Sequence, residues 1–144
     1  MLYYLDTVIV IFAVEGNAVD QQRAINHLAN LNAAGHQFVV SDLTYTECLV
    51  AVLGQAGGQR LTDFFRFFHA PSVRTVEMTS AVHLRASAIR GGYLYPANAP
   101  AVPRRYGLAD ALHLAAAIES GCDIFLTNDN QLASFTEITV EMLP

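Results

Sequence analysis

Apolar positions follow two rhythms along this chain. Short apolar runs at Leu2 to Leu5, Gln37 to Val40, Val73 to Met78, Asp123 to Thr127 and Ile138 to Leu143 read as strands. The stretches between them carry helical spacing. Thr7 to Val14 continues apolar after the first strand and is assigned to a helix, against the β-branched content of Val8 to Ile11. Gly16-Asn17 breaks it, and Asp20 reads as the cap of a helix carrying Ala24, Ile25, Leu28 and Leu31 on one face. Gly35 ends that helix. Ser41 or Asp42 caps the next, which turns Tyr45, Leu49, Val52 and Leu53 inward. Gly57-Gly58 is a break before a compact helix from Leu61 to Phe68, and Thr79 or Ser80 caps a helix running to about Arg90. The clearest unit is Tyr106 to Asp129. Leu108, Ala111, Leu112, Ala115 and Ile118 make an apolar helix face, Gly121 stops the helix, and a strand ends at Asn128-Asp129. Residues 91–105 hold three prolines and two glycines and predict a loop without regular structure.

Strands alternating with helices predict an α/β fold with a mostly parallel sheet and helices on both faces. In such sheets the ligand site lies outside the carboxyl ends of the strands. That rule selects acids. Asp6 follows the first strand, Glu47 lies just over one turn into the helix after the second, and Asp129 follows the strand of the Tyr106–Asp129 unit. Asp110 is in the first turn of its helix, which a right-handed crossover can bring to the same edge. Asp42 reads as a cap, and Asp123 precedes its strand, at the opposite edge.

Composition narrows the classes. A chain of 144 residues is expected to be one domain, 1–144, able to bury roughly two-thirds of its unfolded surface. Over half the residues are apolar, which excludes disorder. The longest apolar runs fall short of the ~20 residues of a membrane helix, and Met1-Leu-Tyr-Tyr lacks the basic start of a secretory signal. Cys48 and Cys122 lie inside apolar segments, as core residues do. The expectation is a soluble, cytoplasmic protein that touches no membrane. The net charge of −5 does not advertise nucleic-acid binding. All eight basic residues are arginine, so the lysine-dependent phosphate sites of P-loops and receiver domains are excluded in their usual form. An aspartyl-nucleophile phosphatase is disfavoured too, because the second residue after Asp6 is Val8 rather than an acid.

Brought together, the acids must bind protons or a cation, since two unit charges ~4 Å apart repel by about 4 kcal/mol near a protein surface. Oxygen-only ligands favour Mg²⁺ or Mn²⁺ over Zn²⁺. Such ions orient a phosphodiester and activate water, so the reaction class that fits is metal-dependent phosphodiester hydrolysis, leaving a 5′-phosphate and a 3′-hydroxyl.

LDT at 5–7, SDLTYTE at 41–47, ADALHLAAA at 109–117 and FLTND at 125–129 resemble, in order and over nearly the whole chain, the PIN-domain ribonucleases, in particular VapC-type toxins of toxin–antitoxin pairs. The last two segments are the most specific. The resemblance implies a three-layer α/β/α sandwich, an acidic Mg²⁺ or Mn²⁺ site of Asp6, Glu47, Asp110 and Asp129, an RNA substrate, homodimers and an inhibiting antitoxin protein. It gives Thr127 the place of a hydroxyl that supports a water or the backbone turn, and Asn128 a weaker supporting place. Val8 departs from it, standing where many relatives have a small hydroxyl residue, and the 91–105 loop is longer than usual.

Each acid also has a plain reading: Asp6 as a helix cap, Glu47 as a solvated side chain, Asp110 as a charge at a helix start, Asp129 as turn chemistry. The alternative function is a non-catalytic PIN-like scaffold that binds RNA or protein. His113, one turn after Asp110, reads as packing or facing solvent, with approach to substrate as the other reading. Arg104 and Arg105 are placed to hold an RNA phosphate or to be a solvated pair. Tyr93 and Tyr95 could stack on bases or anchor the loop. Phe64, Phe65, Phe67 and Phe68 read as core or dimer interface.

Overall fold

The computed structural model describes residues 1–54, 58–94, 99–100 and 106–144. Gly57, Tyr95, Arg104 and Arg105, singled out in the sequence, lie outside the described residues.

The chain begins with β1 (Leu2–Leu5), α1 (Thr7–Glu15), α2 (Ala18–Ala33), β2 (Gln37–Ser41), α3 (Asp42–Leu49), α4 (Gln59–Phe68) and β3 (Val73–Val76). It continues through α5 (Ser80–Gly91), β4 (Tyr93–Leu94), β5 (Ala99–Pro100), α6 (Leu108–Glu119), β6 (Ile124–Thr127) and β7 (Thr139–Met142). Five strands form one sheet in the order β3-β2-β1-β6-β7, and every pairing in it is parallel. The expected α/β architecture is therefore observed, with the sheet wholly parallel.

Successive strand side chains point to opposite faces, and both faces are covered. Tyr4, Val39 and Phe125 pack with α5 and α6 on one side. Tyr3, Leu5, Phe38, Val40, Ile124 and Leu126 pack with α1, α2 and α4 on the other. The Tyr4 and Phe125 rings stack at 5.4 Å between centroids. Ala115, Ala116 and Ala117 are fully buried, and their small side chains let α6 lie close between the sheet and α5. Gly121 takes φ +70° just past the end of α6, the left-handed turn that lets the chain double back into β6.

Three local expectations are corrected. The second helix starts at Ala18 rather than after Asp20, because the Asn17 side chain accepts from the backbone N–H groups of Val19 and Asp20 and caps it first. The third strand stops at Val76, short of Met78. Within 91–105, Tyr93–Leu94 and Ala99–Pro100 pair antiparallel, where no regular structure was expected. A two-residue ladder is too short to show as alternation, and its terminal proline is tolerated where no central strand needs its missing N–H. Asp123 lies at the amino edge as expected, where its Oδ2 accepts the Leu2 N–H at 2.7 Å. Cys48 and Cys122 are free, and burial pushes both thiols up to about 12. Among the described residues, no helix is long and apolar enough to cross a membrane.

The tight seating of α6 is testable. Ala116→Leu should overfill the space against the sheet and lower the unfolding free energy by about 1–3 kcal/mol in urea denaturation; an unchanged midpoint would contradict the packing described.

Candidate active site at the carboxyl edge of the sheet

β1 is the strand at which connectivity reverses: β2 and β3 lie to one side of it, β6 and β7 to the other. The crevice beyond the β1 and β6 ends is thus the position where parallel sheets hold ligands. Asp6 enters it directly. Its backbone N–H donates to the Leu126 carbonyl at 3.0 Å, extending the β1–β6 ladder by one residue. Thr127, fully buried at the end of β6, donates from Oγ1 to Asp6 Oδ2 at 2.5 Å and accepts the Asp129 backbone N–H at 3.0 Å. Asp129 Oδ1 in turn accepts from the Gln131 N–H at 2.8 Å. The Thr127 hydroxyl therefore serves the backbone turn and the Asp6 carboxylate together. Asn128 follows it, half-buried.

Asp110 sits in the first turn of α6, whose N-terminal cap is Gly107. A Cβ at 107 would stand 3.3 Å from Asp110 Oδ2, so glycine leaves room for this carboxylate beside the backbone. Asp110 also lies in the electrostatic field of Asp6. Burial pushes the Asp6 carboxyl up and Asp110 adds to that rise, while the Thr127 hydrogen bond, His113 and the Thr7 backbone oppose it without cancelling it.

Glu47 is held on the other side of the same crevice. Its Oε2 accepts from Thr7 Oγ1 and from His113 Nε2, the latter at 2.6 Å. Burial pushes the Glu47 carboxyl up, but the hydrogen bonds from His113 and Thr7 and the His113 charge outweigh it, and the group lies below its ordinary value. Asp6 and Thr7, neighbours at the end of β1, thus link both halves: Asp6 to Thr127 and Asp110, Thr7 to Glu47 and His113.

Of the readings the sequence left open for His113, packing is the one observed, with polar partners that the sequence did not foresee. The residue does not face solvent: it is 2% exposed, with Nδ1 2.8 Å from the Tyr4 hydroxyl and Nε2 3.2 Å from Thr7 Oγ1. Tyr4 completes the chain by donating to Ser41 Oγ at 2.8 Å. Nearby on α3, the buried Thr44 Oγ1 has no hydrogen-bond partner among the described residues. A signal was present: His113 is the one imidazole inside the apolar run LADALHLAAA, and a buried polar group requires partners.

The sequence matches the PIN domain over residues 3–138. The chain belongs to the PIN-domain family. No curated protein matches it in sequence. Among solved structures, this PIN domain resembles a chain of VapBC2 from Rickettsia felis bound to a DNA fragment from its promoter (TM-score 0.77, 16% identity, 100% of each chain covered). It resembles a chain of DNA-bound VapBC from Salmonella typhimurium with TM-score 0.68, 19% identity and 100% of each chain covered. It also resembles VapC20 of Mycobacterium tuberculosis, a sarcin-ricin loop cleaving toxin (TM-score 0.64, 15% identity, 94% of this chain and 98% of that one). At these identities the likeness is one of fold.

PIN domains typically use divalent metals. The donors at this edge fit a hard dication: they are carboxylate and hydroxyl oxygens, and the Asp6 carboxyl carries a rise, from burial and from Asp110, that a cation would relieve. Among the described residues no three His, Cys, Asp or Glu side chains stand together as a group that could hold a metal ion. What fits is an open site of the kind Mg²⁺ occupies through one or two carboxylates plus substrate phosphate.

Thr127→Val should leave Asp6 Oδ2 and the Asp129 N–H short of a partner and lower stability by about 1–3 kcal/mol, whereas Thr127→Ser should keep most of it. Equal unfolding midpoints for the valine and serine variants would contradict the shared hydroxyl.

Proposed function

We propose that this PIN domain is a metal-dependent endoribonuclease, the toxin of a toxin–antitoxin pair. The observation that supports the reading is Asp6 at the switch point of the parallel sheet, bonded by Thr127 and within the electrostatic reach of Asp110, with the Glu47 carboxylate held by Thr7 and the Asp129 backbone N–H by Thr127. In this reading Asp6, Glu47, Asp110 and Asp129 are the acidic set, and Asp6 and Asp110 are the first ligands of Mg²⁺ or Mn²⁺. A bound dication supplies Lewis acidity toward the phosphodiester and the attacking water. The protein's own part is to hold the oxygens. Thr127 orients Asp6 through Oδ2. Asp110 stands in the first turn of α6, at the positive end of the helix dipole, a favourable place for an acidic side chain. Thr7 and His113 hold Glu47. Hydrolysis adds the water oxygen to phosphorus and breaks the P–O3′ bond. It leaves a 5′-phosphate and a 3′-hydroxyl, with the water's proton ending on the 3′ oxygen.

The toxin assignment is supported by the nature of the structural neighbours, two of which are VapBC complexes and one a sarcin-ricin loop cleaving toxin. By the same support one partner is a cognate antitoxin protein; an RNA substrate and a second copy of this chain are what the resemblance to the PIN-domain toxins implies. A non-catalytic scaffold is the second reading, and the observation that favours it is the commitment of Glu47 Oε2 to Thr7 and His113.

Calorimetric titration with Mn²⁺ separates the two. Wild type should bind, and Asp6→Asn or Asp110→Asn should weaken binding by at least the ~10–100-fold that loss of an outer-shell partner costs at metal sites. Both variants should also lose chelator-sensitive cleavage of total RNA. Retained cleavage in both would remove these residues from the site, and a wild type that neither binds nor cleaves would favour the scaffold.

A further inference from the structure

The acidic set does not use one buried group that touches it. His113 lies inside α6 at 2% exposure, yet its partners come from elements far apart in sequence: Tyr4 on β1, Thr7 on α1 and Glu47 on α3. A histidine that merely fills the core could satisfy its ring with a single neighbouring carbonyl. Here both nitrogens are directed along one line that ends on a carboxylate. The Tyr4 hydroxyl lies 2.8 Å from Nδ1 and gives its proton to Ser41 Oγ. Burial pushes the Tyr4 phenol well above its ordinary value, so that proton stays in place. Nε2 meets Glu47 Oε2 at 2.6 Å, and a carboxylate only accepts. Each ring nitrogen therefore has a partner, and the ring is held at both ends.

The consequence falls on Glu47. Oε2 takes the Thr7 hydroxyl and the His113 N–H together, which uses its two lone pairs. Oε1 has no hydrogen-bond partner among the described residues. We infer that His113 is a positioning residue for Glu47: anchored by Tyr4, it holds the carboxylate by Oε2 and leaves Oε1 as the single oxygen that Glu47 offers to a divalent cation. This rests on the reading of the acidic set as a metal centre and adds to it a fixed, one-oxygen role for Glu47. Outer partners of this type tune metal sites because a ligand held in its productive rotamer loses less freedom on binding.

The test has one arm without metal and one with it. In metal-free protein, proton NMR should show a slowly exchanging downfield Nε2–H resonance from His113, and both Glu47→Gln and Tyr4→Phe should move it. In Mn²⁺ calorimetry, His113→Ala should bind about tenfold or more weakly. His113→Gln, whose amide N–H can replace Nε2–H, should recover most of that loss, and Tyr4→Phe should fall between. If His113→Ala does not fold, His113→Gln and Tyr4→Phe carry the test. A resonance unmoved by Glu47→Gln would overturn the inference. So would wild-type Mn²⁺ affinity in every folded variant, with the metal centre left standing. A wild type without a Mn²⁺ isotherm would overturn the metal centre and this inference together.

Discussion

A carboxylate at the buried end of the central strand is the constraint on which the rest of this molecule turns. All strands of the main sheet are parallel, so all their carboxyl ends lie on one edge. β1 is central, so the residue that follows it leaves the sheet between two covered faces rather than at a rim. An ionised group there is expensive unless it is hydrogen-bonded or matched by opposite charge. Asp6 meets that requirement through Thr127 and the Thr7 backbone, yet its carboxyl still lies above its ordinary value because burial raises it and Asp110 adds a second negative charge nearby. The strain is local and electrostatic, and it sits where parallel sheets place their ligands.

The polar groups around Asp6 also join layers that the hydrophobic cores keep apart. The Tyr4 side chain belongs to the core under α5 and α6, whereas Leu5 belongs to the core under α1, α2 and α4. From Tyr4 a run of hydrogen bonds passes through His113 on α6 to Glu47 on α3, with Thr7 at the start of α1 touching both. Helices on both sides of the sheet are thus referenced to the end of β1. A displacement of α6 that apolar packing could absorb would break bonds in this network, because hydrogen bonds lose strength steeply with distance and angle. Alanines along α6 keep the helix close enough to the sheet for His113 to reach them.

Much of the architecture was legible along the chain, for a physical reason in each case. β1, α1, β2 and α6 were readable because their apolar runs are bounded by residues that cannot continue them, and Gly121 was readable because its left-handed backbone is one that glycine adopts freely. The start of α2 was misplaced because Asn17 and Asp20 are both good caps and only geometry decides which side chain reaches the free N–H groups. The Tyr93–Leu94 and Ala99–Pro100 pair was not legible because two residues have no period. The acids Asp6, Glu47, Asp110 and Asp129 could be selected because three stand at element ends and Glu47 just over one turn into α3, positions expected at the carboxyl edge of a parallel sheet. His113 could not be assigned, since a histidine among alanines and leucines reads the same whether it packs against carbon or against oxygen.

The sequence by itself therefore determined the parallel α/β architecture, the carboxyl edge of its sheet and the candidate acids for that edge. Periodicity and strand direction are local properties, and the handedness of the crossovers carries them to the whole sheet. Only the tertiary structure decided which oxygens face each other: Thr127 on Asp6, 121 residues apart, and His113 on Glu47, 66 apart. Those pairings depend on the rotation of α6 and α3 about their own axes when they pack, to within a fraction of a turn. No spacing along a single chain encodes that rotation, because it is set by the fit of many side chains from different elements at once.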